Sequence, residues 1–504
     1  MTFLQLLDGA EVLFQRGNPE ISGLQYDSRK VKPGDTFVAM RGESSDGNGF
    51  IDRAIAAGAV AVVTDSATEK PRQNSAWAQV PHGRRALARL SANFYGHPAD
   101  KLRITGITGT NGKSTTAFLL ESILKAAKRQ TALIGTIEYH VAGNVLPAPH
   151  TTPESLELNS IFANALSRGA TEVVMEASSH ALAQQRVYGI PFDCAVFTNL
   201  TRDHLDYHHT MDEYFAAKQI LFEGCGTGSP RVAVINIDDS YGQKLIEASK
   251  HARSAVVTYG FAEGDFHADN VDVSLRGTRF DLVTPEETTP VFSPLIGKVN
   301  VYNIVAASAA AHARSANPAA ISEGIASLSR VPGRFEPVDC GQPFTVVVDY
   351  AHTDDALRNL TSLAREFVEA EKGRVITVFG CGGDRDRSKR PLMGEAVARN
   401  SDAIMLTSDN PRSEDPLAIM NDAVVGLQRR GANYKMEPDR QHAIVMAIHE
   451  ARPGDIVLIA GKGHEKIQVT REGSLPFDDV KVARESLQEL GYIRETAKAI
   501  PNNP

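Results

Sequence analysis

From Gly106 to Thr116 the chain reads Gly-Ile-Thr-Gly-Thr-Asn-Gly-Lys-Ser-Thr-Thr. Before it, Leu102-Arg-Ile-Thr105 has the makings of a short strand; after it, Ala117 to Ala127 is a helical pattern of good helix formers. Strand, Gly-rich turn and helix in that order form a phosphate-binding unit. The glycines let backbone N–H groups close around phosphate oxygens at a helix N-terminus, where the helix dipole favours anions. Lys113 is placed to reach the outer phosphates and the Ser114 hydroxyl to ligate Mg²⁺. Gly106 and Gly112 enclose five residues where the common G-x-x-x-x-G-K-[ST] loop has four, so this is a variant loop. The competing reading, a Gly-rich turn without a ligand, sits poorly with Gly-Lys-Ser-Thr-Thr opening a helix.

At 504 residues the chain exceeds a single core, and its length suggests about three domains. Residues 1–100 alternate strand and helix, as in Ile51 to Gly58 followed by the apolar run Ala59 to Val63. Residues 101–332 hold the phosphate loop, further parallel-type strands at 131–135, 172–176, 194–198, 231–235 and 254–258, an alternating antiparallel stretch at 271–282, and an Ala-rich helix at 303–316. Residues 333–504 are again α/β. Four apolar runs there end in polar loops beginning at Asp349, Gly380, Thr407 and Gly461, the strand ends at which open α/β sheets bind ligands. A net charge of −8 offers no electrostatic footprint for nucleic acid. No apolar run reaches the length of a membrane span, the start lacks the basic residues of a signal peptide, and the four cysteines are scattered. The expectation is a cytoplasmic, multidomain α/β monomer that works on small molecules.

Glu176 closes an apolar strand downstream of the phosphate loop, where nucleotide-binding folds place a hard oxygen for Mg²⁺; an ordinary strand-end acid is the alternative. His204 lies in the polar block Thr198 to His208, which suits a site, although a single His is more often only hydrogen-bonded. In Met211 to Phe222, Tyr214, Lys218, Leu221 and Phe222 share one helix face. A lysine on an apolar stripe snorkels, pairs with an acid or is chemically altered, and the pattern alone favours snorkelling. The last unit carries Arg334, Asp349, His352, Arg385 and Arg412 in its loops, and arginine forks suit carboxylates and phosphates. Asp409-Asn-Pro-Arg412 also reads as a plain turn.

With these residues assembled, the chain resembles the Mur ligase family, the ATP-dependent amino-acid ligases of peptidoglycan precursor synthesis, over nearly its whole length. The blocks that carry the resemblance are Tyr26-Asp-Ser-Arg29, Thr108 to Thr115, Thr151-Thr-Pro153, Glu176-Ala-Ser-Ser-His180, Tyr214-Phe-Ala-Ala-Lys218, Asn303, Val331 to Glu336, Asp349-Tyr-Ala-His352, Gly383-Asp-Arg-Asp386 and Gly461-Lys-Gly-His-Glu465. The resemblance implies an N-terminal α/β domain for the UDP-muramoyl group, a central P-loop-type ATPase domain with a mostly parallel sheet, and a C-terminal Rossmann-like domain for the amino acid. It implies that Gly109, Thr110, Asn111, Gly112, Lys113, Ser114 and Thr115 bind ATP, completed by Asn303, Arg334 and Asp349. Mg²⁺ falls to Ser114, Glu176, His204 and Lys218, the last as a carbamate formed with CO₂. Ser28, Thr151, Thr152, Ser178, Gln184 and Arg186 fall to the UDP-N-acetylmuramoyl dipeptide. Arg385, Asp409, Asn410, Pro411, Arg412, Gly461 and Glu465 fall to meso-diaminopimelate, whose second carboxylate calls for a cation such as Arg412. Lys113, His204, Lys218 and Arg334 are the expected catalytic residues. The implied reaction joins meso-diaminopimelate to the D-glutamate of UDP-N-acetylmuramoyl-L-alanyl-D-glutamate through an acyl phosphate. The alternatives are a lysine-adding member, a folylpolyglutamate synthase or, from another class, a nucleotide-dependent switch.

Overall fold

The computed structural model describes residues 1–43, 45–141, 143–369 and 372–492, so the last twelve residues of the expected third unit lie outside the described residues. Three α/β layers follow one another along the chain. The first is a five-stranded sheet in the order Phe14–Arg16, Ala76–Gln79, Ala61–Thr64, Asp35–Ala39 and Gly23–Gln25, parallel except at the first pair. Its strand Asp35–Ala39 is buried throughout, as expected where helices cover both faces.

The second sheet has eight strands. Arg103–Thr108 lies at its heart between Phe192–Phe197 and Glu172–Glu176, with Val232–Asn236 and Ala255–Tyr259 on one side and Thr131–Ile134 on the other. These strands are parallel, as the apolar runs predict. The sheet then continues into an antiparallel hairpin, Glu138–Val141 with Asn144–Pro147, which the sequence pattern did not suggest. Helix Lys113–Ala126 packs on this sheet with helix Lys298–Ala313, and Leu119, Leu120, Ile123, Val301, Ile304 and Val305 lie in their shared core. The strands His267–Ser274, Gly277–Val283 and Thr288–Ser293 form the expected antiparallel excursion.

The third sheet runs Glu336–Pro337, Thr345–Asp349, Ile456–Ala460, Val375–Cys381, Ala403–Ser408 and Tyr434–Met436, parallel after its first pair. The chain is therefore mixed α/β with mostly parallel sheets. Strand ends that the sequence marks as ligand-binding, after Thr108, Glu176, Asp349, Ser408 and Ala460, are all carboxyl ends. Side chains beyond the ends of the second and third sheets touch one another, so the two rims face across a cleft. Among the described residues no helix is long and apolar enough to cross a membrane.

Candidate active site between facing strand ends

The phosphate loop is held in shape from the next strand end. Thr198 Oγ1 and Asn199 Nδ2 both donate to the Asn111 carbonyl, at 2.6 and 3.1 Å, and the Asn111 N–H donates to Asn199 Oδ1 at 2.9 Å. Gly112 stands at the helix N-cap with φ +89° and supplies no side-chain cap, which leaves the first N–H groups of helix Lys113–Ala126 open to an anion. A Cβ on Gly112 would come within 2.4 Å of Asn303 Oδ1. Asn303 also accepts from Thr116 Oγ1 at 3.3 Å and donates to Asn300, so it braces the loop from helix Lys298–Ala313. Lys113 curls back, and its Nζ donates to the carbonyls of Gly109 and Thr110 at 2.9 and 2.8 Å. Burial lowers the proton affinity of Lys113, against the pull of Glu176 and Asp203 and with the help of Arg334.

Lys218 overturns the snorkelling that its helix pattern favours. It is 1% exposed; its Nζ donates to Gly109 O at 2.8 Å and lies 4.5 Å from the centre of the Tyr214 ring. Helix Met211–Glu223 lays its face against the loop strand and helix Ser179–Ala183, so the stem has no route to water. Burial, then the neighbouring Lys113 charge, pushes the Lys218 proton affinity well down, and Asp203 opposes them. Tyr214 adds a contact between its hydroxyl and Thr110 Oγ1 at 3.2 Å.

Glu176 is 1% exposed and accepts twice from Thr136, from N–H at 2.8 Å and Oγ1 at 3.0 Å. Thr136 Oγ1 also lies 3.0 Å from Thr151 Oγ1, and Thr152 Oγ1 donates to the Glu176 carbonyl at 2.8 Å. The Ser178 N–H donates to Thr152 Oγ1 at 3.1 Å, while Arg186 donates to Thr152 O at 3.0 Å and to Gln184 Oε1 at 2.8 Å. Thr151, Thr152, Ser178, Gln184 and Arg186 thus form one connected patch beside Glu176. Ser28 is joined to it by no hydrogen bond among the described residues. It is buried next to Tyr26, whose hydroxyl donates to Glu157 at 3.1 Å, and to Asp27, which is chelated by Arg29.

His204 takes a left-handed backbone, φ +55°, and stacks edge-on against His180 at 4.8 Å. Burial lowers its proton affinity despite Asp203, 3.5 Å away. Asp203, buried and itself raised by desolvation, is nevertheless held below the usual carboxylate range by His204, Lys389 and His352. Lys389 and His352 belong to the third layer and lie 3.5 and 3.8 Å from it. Among the described residues no three His, Cys, Asp or Glu side chains are arranged to hold a metal ion. The expected set of Ser114, Glu176, His204 and Lys218 includes a hydroxyl and an amine, so it could hold Mg²⁺ only with oxygens supplied by phosphate and by a modified lysine.

From the third layer Arg334 crosses the cleft: it donates to Ser114 Oγ at 3.3 Å while its guanidinium rides 4.5 Å over the Tyr350 ring. Asp349 accepts the N–H groups of Phe335 and Ala351 at 2.6 and 2.7 Å and fixes the turn that carries Arg334. Asp409, Asn410, Pro411, Arg412, Gly461 and Glu465 come together at the neighbouring strand ends. A Cβ on Gly382 would lie 3.1 Å from Arg412 NH1 and 3.7 Å from Arg385 Cγ, which brackets the two arginines around one glycine. Arg412 NH1 donates to the carbonyls of Gly383 and Asn410, and its proton affinity is lowered by burial and by Arg385. Asn410, expected to be open to a substrate amine, is already committed. Its Nδ2 donates to Glu465 at 2.8 Å and its Oδ1 accepts from Lys462 and Val469 N–H, both at 2.9 Å. Thr136, Asn199, Asp203, Lys389 and Lys462 escaped the sequence reading. The polar block after Phe197 and the Lys inside Gly461-Lys-Gly463 were the available signals.

A phosphate loop at the centre of a parallel sheet, faced by an arginine-bearing Rossmann-like layer, defines an α/β nucleotide-dependent enzyme. The chain matches the Mur ligase middle domain over residues 107–311, the Mur ligase glutamate ligase domain over 333–463 and the Mur ligase catalytic domain over 20–95. It is 56% identical over 474 residues, 94% of each chain, to the UDP-N-acetylmuramoyl-L-alanyl-D-glutamate–2,6-diaminopimelate ligase of Solibacter usitatus. It is 45% identical over 97% of its length, and 99% of the relative, to the enzyme of that name from Geobacillus thermodenitrificans. A solved structure of that name superimposes with a TM-score of 0.68 at 35% identity, covering 97% of this chain and 99% of the other. The chain belongs to the Mur ligase family.

Proposed function

We propose that this chain is an ATP-dependent ligase that joins meso-2,6-diaminopimelate to the D-glutamate of UDP-N-acetylmuramoyl-L-alanyl-D-glutamate in the cytoplasm, acting as a monomer. The observation that carries this reading is the pair Arg385 and Arg412 converging beside Asp409 and Glu465, across the cleft from the phosphate loop. The two arginines suit the second carboxylate of diaminopimelate, and the acids suit the amine on the same carbon. The names borne by relatives up to 56% identical support the same substrate.

On this reading residues 1–100 hold the UDP end, with Ser28 towards the uridine. Residues 101–332 hold ATP through Gly109 to Thr115 and Asn303, and the muramoyl dipeptide through Thr151, Thr152, Ser178, Gln184 and Arg186. Residues 333–504 bring the amino acid together with Arg334 and Asp349. The D-glutamyl carboxylate attacks the γ-phosphorus of ATP; ADP leaves, and Lys113 and Arg334 meet the charge that spreads over the transferred group. The amine of diaminopimelate then attacks the acyl carbon, and phosphate leaves as the amide forms. Arg334, donating to Ser114 from the opposite rim, couples closure of the cleft to this charge stabilisation and excludes water from the acyl phosphate. Ser114, Glu176, His204 and Lys218 would hold Mg²⁺, which neutralises phosphate charge when bound. The buried Lys218 amine, disfavoured as a cation, suits attack on CO₂ in its neutral form: its nitrogen bonds to carbon, a C–O π pair moves to oxygen, one proton departs to solvent, and the neutral amine becomes an anionic carbamate.

Mass analysis of the product with a panel of amino acids tests the proposal. The expected result is phosphate release and a UDP-muramoyl tripeptide only when the dipeptide, ATP and meso-diaminopimelate are all present. Lysine should be rejected by about a thousandfold in kcat/KM, since it leaves the arginines without a carboxylate. Comparable kcat/KM for lysine, or phosphate release independent of any amino acid, would overturn it.

A further inference from the structure

Beneath the amino-acid site lies a cation with no assigned task. Lys462 follows strand Ile456–Ala460, has no exposed surface, and donates from Nζ to Asn410 Oδ1 at 2.9 Å and Glu465 Oε2 at 2.8 Å. Asp409 Oδ1 is 3.9 Å away. The nearest other buried cation, Arg440, is spent on Asp479, with two contacts of 2.8 Å, and cannot take its place. One ammonium therefore does three things. With the Val469 N–H it fixes which way round the Asn410 amide lies, because only Oδ1 can accept from them. It occupies one oxygen of Glu465 and leaves the other free. It also sits between two carboxylates, Asp409 buried and Glu465 partly exposed, that would otherwise repel across the site.

We propose that Lys462 is a positioning residue that sets the amino-acid specificity of this site, by holding Glu465 and Asn410 in register and allowing Asp409 and Glu465 to stay anionic together. The proposal rests on the functional reading above and concerns the same site. With Lys462 present, the pocket offers a negative end at Asp409 and Glu465 and a positive end at Arg385 and Arg412. That separation matches a carbon bearing both an ammonium and a carboxylate, the distal end of meso-diaminopimelate. Without Lys462, one of the two acids takes up a proton, the Asn410 oxygen loses one of its two donors, and the ammonium end of the recognition is lost while the arginines remain.

The test is steady-state kinetics of the full chain carrying Lys462→Met or Lys462→Gln, alone and combined with Glu465→Gln, with each of the three substrates varied in turn. Lys462→Met should raise KM for meso-diaminopimelate by about tenfold or more. KM for ATP and for the UDP-muramoyl dipeptide should stay within about twofold. In the Glu465→Gln background, where the clash of charges is gone, the same change should cost several-fold less. Equal rises in all three KM values, or a Lys462→Met penalty unchanged in the Glu465→Gln background, would overturn the proposal. Failure of both single variants to fold would make Lys462 purely structural and overturn it too. An unmutated protein that forms no product with meso-diaminopimelate instead overturns the functional reading, whereas normal activity with an unchanged KM in the variants overturns only the role of Lys462.

Discussion

Lys218 concentrates the tension between stability and activity in one side chain. Its amine is enclosed against the Tyr214 ring and the Gly109 carbonyl, with its charge disfavoured first by burial and then by Lys113. Because its folded proton affinity is depressed, the folded state holds this proton less tightly than the unfolded chain does, so the group costs stability below the ordinary lysine value. The penalty is present at neutral pH and fades as pH rises towards the ordinary lysine value of roughly 10. Lys218→Met, in buffer freed of CO₂, should therefore be more stable than the unmutated protein, by about 1–3 kcal/mol at neutral pH, yet nearly inactive. Urea melts at pH 7 and again near the upper limit check this: the gain should shrink at the higher pH, and a variant less stable at pH 7 contradicts the argument. For Lys218→Ala, millimolar formate or acetate should restore part of the turnover by supplying the missing anionic oxygen. No rescue at any concentration would argue against a carbamate.

Among the elements, the phosphate loop was the most legible, because its glycines, lysine and following helix lie within one short stretch whose chemistry is local. Gly112 shows why: φ +89° and a neighbouring Asn303 oxygen leave no room for a Cβ. Gly112→Ala should raise KM for ATP by about tenfold or more, while calorimetric affinity for the UDP-muramoyl dipeptide stays nearly unchanged. Matching losses in both would mean that the whole layer, rather than the loop, had been disturbed. The apolar strands were legible for the same local reason, since runs such as Val346–Val348 and Ile456–Ile459 are buried on both faces. Helix Lys298–Ala313 starts before Asn303, where the sequence pattern placed its first turn. Asn300 and Asn303, both inside the helix, bond each other at 3.1 Å. The hairpin Glu138–Pro147 was hidden because pairing with Thr131–Ile134, not composition, orders it, and the strand Asn144–Pro147 is fully exposed. Candidate site residues were legible where a motif carried them. Their partners were not: Asp203 finds Lys389, and Asn410 finds Lys462, only once the sheets are folded.

Across the whole molecule, the proposed chemistry depends on two rims meeting, and several polar contacts span them. Arg334 reaches Ser114, Arg202 reaches Asp386, Asn111 reaches Asp355, and Lys389 and His352 converge on Asp203. Arg334 differs from the rest because, on the proposed reading, it also meets the transferred phosphoryl group. Arg334→Ala should therefore cut kcat by about a hundredfold or more with little change in dipeptide affinity, and equal losses in both would mark it as a bracing residue only. Asp203 and Lys389 act through geometry instead. Both are buried, so their attraction is only weakly screened by salt, and Asp203 is adjacent to His204 on the loop beyond strand Phe192–Phe197. Lys389 opens helix Lys389–Ala398, next to the Gly383-Asp-Arg-Asp386 loop that presents Arg385. The pair thus ties the rim of the third sheet to the rim of the second at the point where both carry candidate site residues. Lys389→Met removes from buried Asp203 its cation on the opposite rim, at a cost of about 2–5 kcal/mol that falls on the closed state and not on either layer by itself. Small-angle scattering with all substrates bound should show a larger radius of gyration for the variant, and kcat should fall while the dissociation constants of ATP and dipeptide hold. Asp203→Asn should produce the same phenotype, and adding it to Lys389→Met should cost little more, because one contact cannot be lost twice. A double variant whose losses multiply, or a variant as compact as the unmutated enzyme, would show that closure does not run through this pair.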